Sequence, residues 1–258
     1  MNFYVLKIRY IIIAACAITA AFILAFAVPR TVNVFNVNGR EIPIYSVERD
    51  DNKIAVTFDC AWNDDDIDAI LKTLSDYNCR ATFFVVGTWA EKYPDAVRKI
   101  SEAGHEIGNH SYNHADYTKL GKKDIQADLD KCDAVVEGII GEKPTLMRAP
   151  SGGYNDTVVK AAEDSGRTYI QWSVDGIDYG DSEAAAIYER CVKRTKAGDI
   201  ILLHNGTKNT ANVLPKILEA LECKFEFAPV GELIYTDNFT IDNTGRQFQA
   251  KTAKKSEI

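Results

Sequence analysis

Lys53-Ile54-Ala55-Val56-Thr57-Phe58-Asp59-Cys60-Ala61-Trp62-Asn63-Asp64-Asp65-Asp66-Ile67 passes from strand to helix across one short loop, and that passage sets the architecture. Ile54 to Phe58 is a run of β-branched, aromatic and small residues, the composition of a buried strand. Asp64, Asp65 and Asp66 then bring negative charge to a helix N-terminus, where the backbone dipole favours it. Ile67, Ile70, Leu71 and Leu74 follow at a spacing that places them on one helical face. Strands are expected again at Thr82 to Val86, Glu106 to Asn109, Thr145 to Arg148, Thr168 to Val174, Asp199 to His204 and Lys224 to Pro229. Helices are expected between them at Asp95 to Ala103, Lys122 to Ile140, Asp156 to Ser165, Ala184 to Lys196 and Ala211 to Leu221. Strand followed by helix about seven times predicts an α/β fold, most simply a distorted (β/α) barrel of about seven parallel strands. An open doubly wound sheet would need a glycine-rich, phosphate-gripping turn after its first strand, and Asp59-Cys60-Ala61-Trp62 contains no glycine.

Composition narrows the partners. The chain has 258 residues, 26% of them charged and 46% hydrophobic, which suits one folded domain of about 200 residues with extensions. A net charge of −7 would be repelled by a phosphate backbone, so nucleic acid is not an expected partner, whereas neutral sugars fit. The six cysteines, at positions 16, 60, 79, 132, 191 and 223, never form a close pair. That spacing excludes a zinc ribbon or a Cys-x-x-C redox centre and leaves most of them as buried apolar side chains.

The N-terminus departs from this pattern. Lys7 and Arg9 precede a mostly apolar run from Tyr10 to Val28, ended by Pro29 and Arg30, which is long enough to cross a bilayer as a helix. It predicts a single-pass anchor in the cell membrane with the rest of the chain extracytoplasmic. Ala25-Phe26-Ala27 would serve as a signal-peptidase site, in which case the chain is secreted. The expected divisions are a cytoplasmic stub and anchor at 1–30, a connector at 31–52, the main domain at 53–236 and a polar, loosely held tail at 237–258. A monomer is expected.

His110 and His114 are four residues apart directly after a strand, and a helical turn would put both imidazoles within reach of one divalent ion. The pair alone reads equally well as two surface histidines. Position adds the weight, because His110, His114 and His204 all fall at or beyond the C-terminal ends of expected strands, where barrel active sites are built. His105 precedes its strand and reads as structural. Asp59 also ends a strand, and Arg148 and Asp178 lie in strand-end segments. A lone strand-end aspartate is more often a helix cap than a base, but three polar clusters on one face point to chemistry.

Thr57-Phe58-Asp59, His110-Ser111-Tyr112-Asn113-His114, Arg148-Ala149-Pro150, Asp175 to Tyr179 and Leu202-Leu203-His204 occur in the order of five family motifs. On them the chain resembles the polysaccharide deacetylases with a NodB-homology domain, family four of the carbohydrate esterases, over about residues 50 to 235. The resemblance implies metal-dependent hydrolysis of N-acetyl groups from a cell-wall glycan such as peptidoglycan. It implies that Asp59 is the base, oriented by Arg148, and that His204 is the general acid, tuned by Asp178. His110 and His114 would hold one divalent metal, zinc by default, with cobalt, nickel or manganese also suited. Pro150, Tyr154, Tyr179 and Leu202 would contact substrate, Leu202 as a wall of the acetyl pocket and Tyr179 in place of the usual groove tryptophan.

The family's first motif normally carries a second aspartate that completes the metal site, and here that residue is Cys60. Asp65 is the expected substitute, with Asp64 and Cys60 as alternatives. A protein that kept the fold and lost the chemistry would be a wall-binding protein. A phosphohydrolase is disfavoured because the sequence shows no second metal cluster or phosphate cradle. The apolar N-terminal segment and Gly231-Glu232-Leu233-Ile234-Tyr235 look most like the sporulation-associated branch of spore-forming Gram-positive bacteria.

Overall fold

The computed structural model describes residues 42–250. The anchor expected at residues 11–28 and the last part of the tail, 251–258, lie outside the described residues. Among the described residues no helix is long and apolar enough to cross a membrane.

The expected strand 54–58 is the middle of β2 (Lys53–Cys60), which follows a short β1 (Ser46–Val47) in the connector. β2 pairs in parallel with β3 (Thr82–Val85) on one side and β8 (Ile200–His204) on the other. Beyond β3 lie β4 (Glu106–Asn109), β5 (Leu146–Met147) and β6 (Thr168–Tyr169), and beyond β8 lies β7 (Val174–Asp175), every pairing parallel. Seven parallel strands form the path of the sheet, the number expected, and β9 (Glu226–Phe227), expected as one of the seven, pairs as an eighth at the start of β2.

The sheet has two unjoined edges, β6 and β7, although these strands are neighbours in sequence. Only residues 170–173 connect them, a span of about 18 Å at full extension, so the sheet has to curl until its edges nearly meet. This also corrects one expectation. Thr168 to Val174 is two strands rather than one, because a straight strand could not cross from one edge to the other.

Helices cover the outside: α1 (Ile67–Asp76), α2 (Gly87–Lys92), α3 (Pro94–Glu102), α4 (Lys122–Ile140), α5 (Asp156–Asp164), α6 (Ala184–Arg194), α7 (Thr210–Glu222) and α8 (Val230–Leu233). α1 buries Ile67, Ile70 and Leu74 as its spacing predicts, with Leu71 packed at the margin. Strand alternation sorts β2 between two environments. Ile54, Val56, Phe58 and Cys60 join the helix-facing core, whereas Thr57 and Asp59 bond to Arg148 inside the curl. Cys60, Cys79, Cys132 and Cys191 are buried free thiols and Cys223 is exposed, in keeping with cysteines used mostly as apolar side chains.

The tail is more ordered than its polarity suggests. β10 (Phe239–Ile241) and β11 (Arg246–Gln249) form an antiparallel hairpin, and β11 pairs in parallel with β1. Phe239 and Gln247 are buried there, and Gln247 exchanges hydrogen bonds with the backbone of Tyr235. A few long-range backbone bonds thus hold residues whose composition carries little hydrophobic signal.

Candidate active site

Asp59 and Arg148 form the buried end of a pocket. Arg148 is fully buried, its guanidinium 4.1 Å from the centroid of the Phe84 ring. One terminal nitrogen donates to Asp59 Oδ1 at 2.7 Å and Thr57 Oγ1 at 2.9 Å, and the other to the Gln171 carbonyl at 3.0 Å. Gly108 leaves room for the Phe84 ring, which a Cβ at that position would approach to 2.5 Å. Burial alone would raise the Asp59 carboxyl, but the charge of Arg148 beside it, above all, holds it below its ordinary value. Asp59 is therefore ionised and oriented, as a base must be.

His110 lies beside it, with Nε2 3.4 Å from Asp59 Oδ2. Its Nδ1 donates to the Arg148 carbonyl at 2.8 Å, which fixes the tautomer and leaves Nε2 its lone pair. Burial lowers the His110 pKa to about 4, so the ring is neutral at neutral pH. His114 is also lowered by desolvation, and the two ring centroids stand 5.1 Å apart. The segment joining them is not the expected helical turn. It is a loop in which Ser111 (φ 67°) and His114 (φ 59°) adopt left-handed conformations. Side chains hold it: Asn109 Oδ1 accepts from the Ser111 amide and Ser111 Oγ from the His114 amide, both at 2.8 Å. Buried Asp133 accepts in turn from Asn109 Nδ2 at 2.6 Å.

Two neutral imidazoles suit a divalent cation, but a catalytic zinc site normally takes three protein ligands. Asp65, the expected third ligand, is exposed and does not line the pocket, and neither does Asp64. The third aspartate, Asp66, receives the Gly206 amide at 2.9 Å on each carboxylate oxygen, which ties it to the loop after β8. Cys60 is fully buried among the helix-facing apolar residues, and burial pushes its thiol well above the ordinary value. Among the described residues no group of three or more His, Cys, Asp or Glu side chains is placed to hold a metal. Of the expected ligands, His110 and His114 come together on the pocket, whereas Asp65, Asp64 and Cys60 are placed away from it.

His204 ends β8 on the same pocket. Its Nδ1 donates to Asp178 Oδ1 and its backbone amide to Asp178 Oδ2, each at 2.7 Å. Burial would lower the imidazole pKa, but the hydrogen bond to Asp178 and the charge of Asp59 raise it above its ordinary value. His204 thus carries a proton more readily than a free histidine, with Nε2 as its uncommitted ring nitrogen.

The pocket encloses about 560 Å³ and is lined by Asp59, His110, His114 and His204, with Leu202 and Tyr179 among its apolar walls. Pro150 and Tyr154, expected as substrate contacts, do not line it. Pro150 is buried, and Tyr154 packs against the core near Tyr45 and Tyr169. Ser151, held at φ 54°, lines the pocket in their place. Trp62, Trp172 and Asp175 also line it, and sequence reasoning assigned none of them a role. Trp62 stands three residues beyond the strand-end Asp59, a proximity that could have flagged it.

The family model for polysaccharide deacetylase matches residues 46–170. A peptidoglycan-N-acetylglucosamine deacetylase of Bacillus cereus is 33% identical over 74% of this chain and 92% of its own length. The peptidoglycan-N-acetylglucosamine deacetylase PgdA of Listeria monocytogenes is 32% identical over 82% of this chain, which spans 44% of that relative's length. Among solved structures, BA3943 of Bacillus anthracis, a CE4 family pseudoenzyme, superposes with a TM-score of 0.72 at 28% identity, covering 81% of this chain and 73% of that one. A mutant of that protein is described as having restored enzymatic activity.

Proposed function

The chain belongs to the polysaccharide deacetylase family, and from that premise we propose that it hydrolyses N-acetyl groups from a cell-wall glycan of the peptidoglycan type. The observation that carries the proposal is a pair of oppositely tuned groups on one pocket, Asp59 lowered by the charge of Arg148 and His204 raised by its hydrogen bond to Asp178. Amide hydrolysis requires both states at the outset. Asp59 accepts a proton as water adds to the acetyl carbonyl, and the C–N bond breaks as His204 gives its proton to the departing amine. Leu202, on the pocket wall, supplies an apolar surface for the acetyl methyl. A divalent ion, zinc by preference, would be held by His110 and His114 and would supply Lewis acidity at the carbonyl. The N-terminal apolar segment supports placement of this activity outside the membrane, and the branch resemblance supports a role in sporulation.

Acetate release from purified peptidoglycan by the full-length protein, before and after chelation and metal add-back, tests the reading. Release that disappears on chelation and returns with metal is expected. No release at any metal concentration would overturn it. One observation favours a second reading, an inactive wall-binding protein: Cys60 occupies the place of a family metal ligand and lies in the core. On that reading peptidoglycan still binds but no acetate appears.

A further inference from the structure

Large apolar side chains are exposed at two places among the described residues, Trp62 (49%) and Tyr179 (45%), and both line the catalytic pocket. Both rings also pack on the same imidazole. The Trp62 ring centroid is 5.3 Å from that of His204 and the Tyr179 centroid 5.5 Å. The Tyr179 position is the family's groove aromatic. The indole of Trp62 is a second face, and no motif of the resemblance includes it.

Trp62 is fixed at its root although open at its face. The carbonyl of the next residue, Asn63, accepts from Trp89 Nε1 at 3.1 Å and from Asn205 Nδ2. Gly206, in the left-handed region at φ 67°, packs against the same turn, where a Cβ would fall 2.6 Å from Asn63 Oδ1 and 3.2 Å from Trp62 Cβ. Asp66 holds the Gly206 amide from the other side. The loops after β2 and β8 are thereby locked together, and the half-exposed indole is presented from rigid backbone. Holding a large apolar face in water brings no benefit to the fold. It is the arrangement of a preorganised binding surface, whose ordering cost has been met before the ligand arrives.

We propose that Trp62 is a stacking platform for a pyranose unit of the glycan, working alongside Tyr179. This rests on the deacetylase reading for the identity of the ligand. The buried floor, with Asp59, His110 and Leu202, takes the reacting acetamide, so the sugar rings lie across the rim where the aromatic faces are. A pyranose presents axial C–H groups on one face and hydroxyls around its edge. The C–H face carries slight positive charge and suits the negative face of an indole. Two platforms on the rim hold more than one sugar, which makes the preferred substrate a linear N-acetylated oligosaccharide rather than a single residue.

The test is calorimetric titration of the full-length protein with N-acetylglucosamine and its β-1,4-linked dimer and tetramer, with acetate release from peptidoglycan measured in parallel. The wild type is expected to bind the tetramer about tenfold or more tighter than the monosaccharide, and Trp62→Leu to lose most of that gain while Trp62→Phe retains it. Unchanged tetramer affinity in Trp62→Leu, or no dependence on chain length in the wild type, would overturn the platform. The two readings fail separately. Chain-length-dependent binding without acetate release would remove the deacetylase activity and leave the platform. Acetate release with tetramer affinity indifferent to Trp62 would do the reverse.

Discussion

Replacing Asp178 by Asn distinguishes a general-acid histidine from a structural one. Asp178 is 1% exposed and its carboxylate accepts three bonds, from His204 Nδ1 and the His204 amide at 2.7 Å and from Thr210 Oγ1 at 2.5 Å. Asparagine has the same shape but one acceptor oxygen. If that oxygen faces the imidazole, its NH₂ group is turned toward two donors. If it faces the amide and Thr210, the imidazole loses its acceptor. A charge-assisted hydrogen bond contributes about 1.5–3 kcal/mol, so the proton affinity of His204 should fall about ten- to a hundredfold. The alkaline limb of kcat/KM then moves to lower pH, while the acidic limb, set by Asp59, stays in place. Stability should follow the same sign. The folded pKa of His204 is raised, so its stabilising contribution is complete below the unfolded pKa and disappears as pH rises through the folded one. Asp178→Asn should therefore be less stable by about 1–3 kcal/mol at low pH and flatter through that window. NMR titration of the His204 ring, acetate release across pH and urea unfolding measure the three effects. A folded variant whose His204 titrates as in the wild type would refute the coupling, and an unmoved alkaline limb would remove His204 as the acid.

Arg148→Gln leaves the buried Asp59 carboxylate without its main counter-charge, so acetate release should fall about 10²-fold or more and the fold should lose about 3–5 kcal/mol; retention of turnover would show that Asp59 needs no such partner. Asp133→Leu removes one of the two acceptors of Asn109 Nδ2, the other being the Leu129 carbonyl, together with the buried partner of Arg167, and should weaken metal binding by about 10- to 100-fold through the His110–His114 loop, read on folded protein by competition with a chromogenic chelator; unchanged affinity would make the network structural only. Cys60→Asp should lower the Tm of the metal-free protein, because a carboxylate enters the apolar core, and make that Tm rise with added zinc. A Tm equally low with and without zinc would mean that residue 60 stays turned from the histidines. Mass spectrometry of the membrane fraction should find residues 11–28 still attached, and a mature N-terminus at Val28 would replace the anchor with a cleaved signal.

Much of this site was legible because it is built at strand ends. Asp59 and His204 are directly paired in the β2–β8 register, and the sequence places each just after a recognisable apolar run. Their partners were legible only in part. Arg148 and Asp178 lie in strand-end segments, but nothing in the sequence assigns the Thr57 hydroxyl or the Gln171 carbonyl to the cage of Arg148: Thr57 belongs to a motif, yet a threonine inside a strand is ordinarily read as a β-former. The three consecutive aspartates show the limit most clearly. A helix N-terminus and a metal site attract the same residue type, so the sequence could not say which use prevailed. The structure gives Asp66 to the Gly206 amide and Asp65 to solvent. Left-handed backbone at Ser111 and His114 was equally hidden, because neither residue type announces it as a glycine does.

The alternation of β2 separates what Cys60 puts at stake from what it does not. Residues 57 and 59 point into the curl and residues 58 and 60 toward the helices, so the exchange of a carboxylate for a thiol at 60 occurs on the face opposite the acid–base machinery. Asp59 is held by Arg148 and His204 by Asp178, and neither pair includes residue 60. His110 keeps its tautomer through the Arg148 carbonyl, again without residue 60. On the proposed reading, a thiol at 60 in place of the aspartate that the resemblance expects would fall on metal affinity, because three protein ligands are usual, and would leave the Asp59–Arg148 and His204–Asp178 pairs in place. An apolar thiol at 60 also spares the fold a buried carboxylate that metal-free protein would have to accommodate. The ligand that the resemblance expects at position 60 and the core of this chain ask for the same side-chain position, and in this structure the core has it.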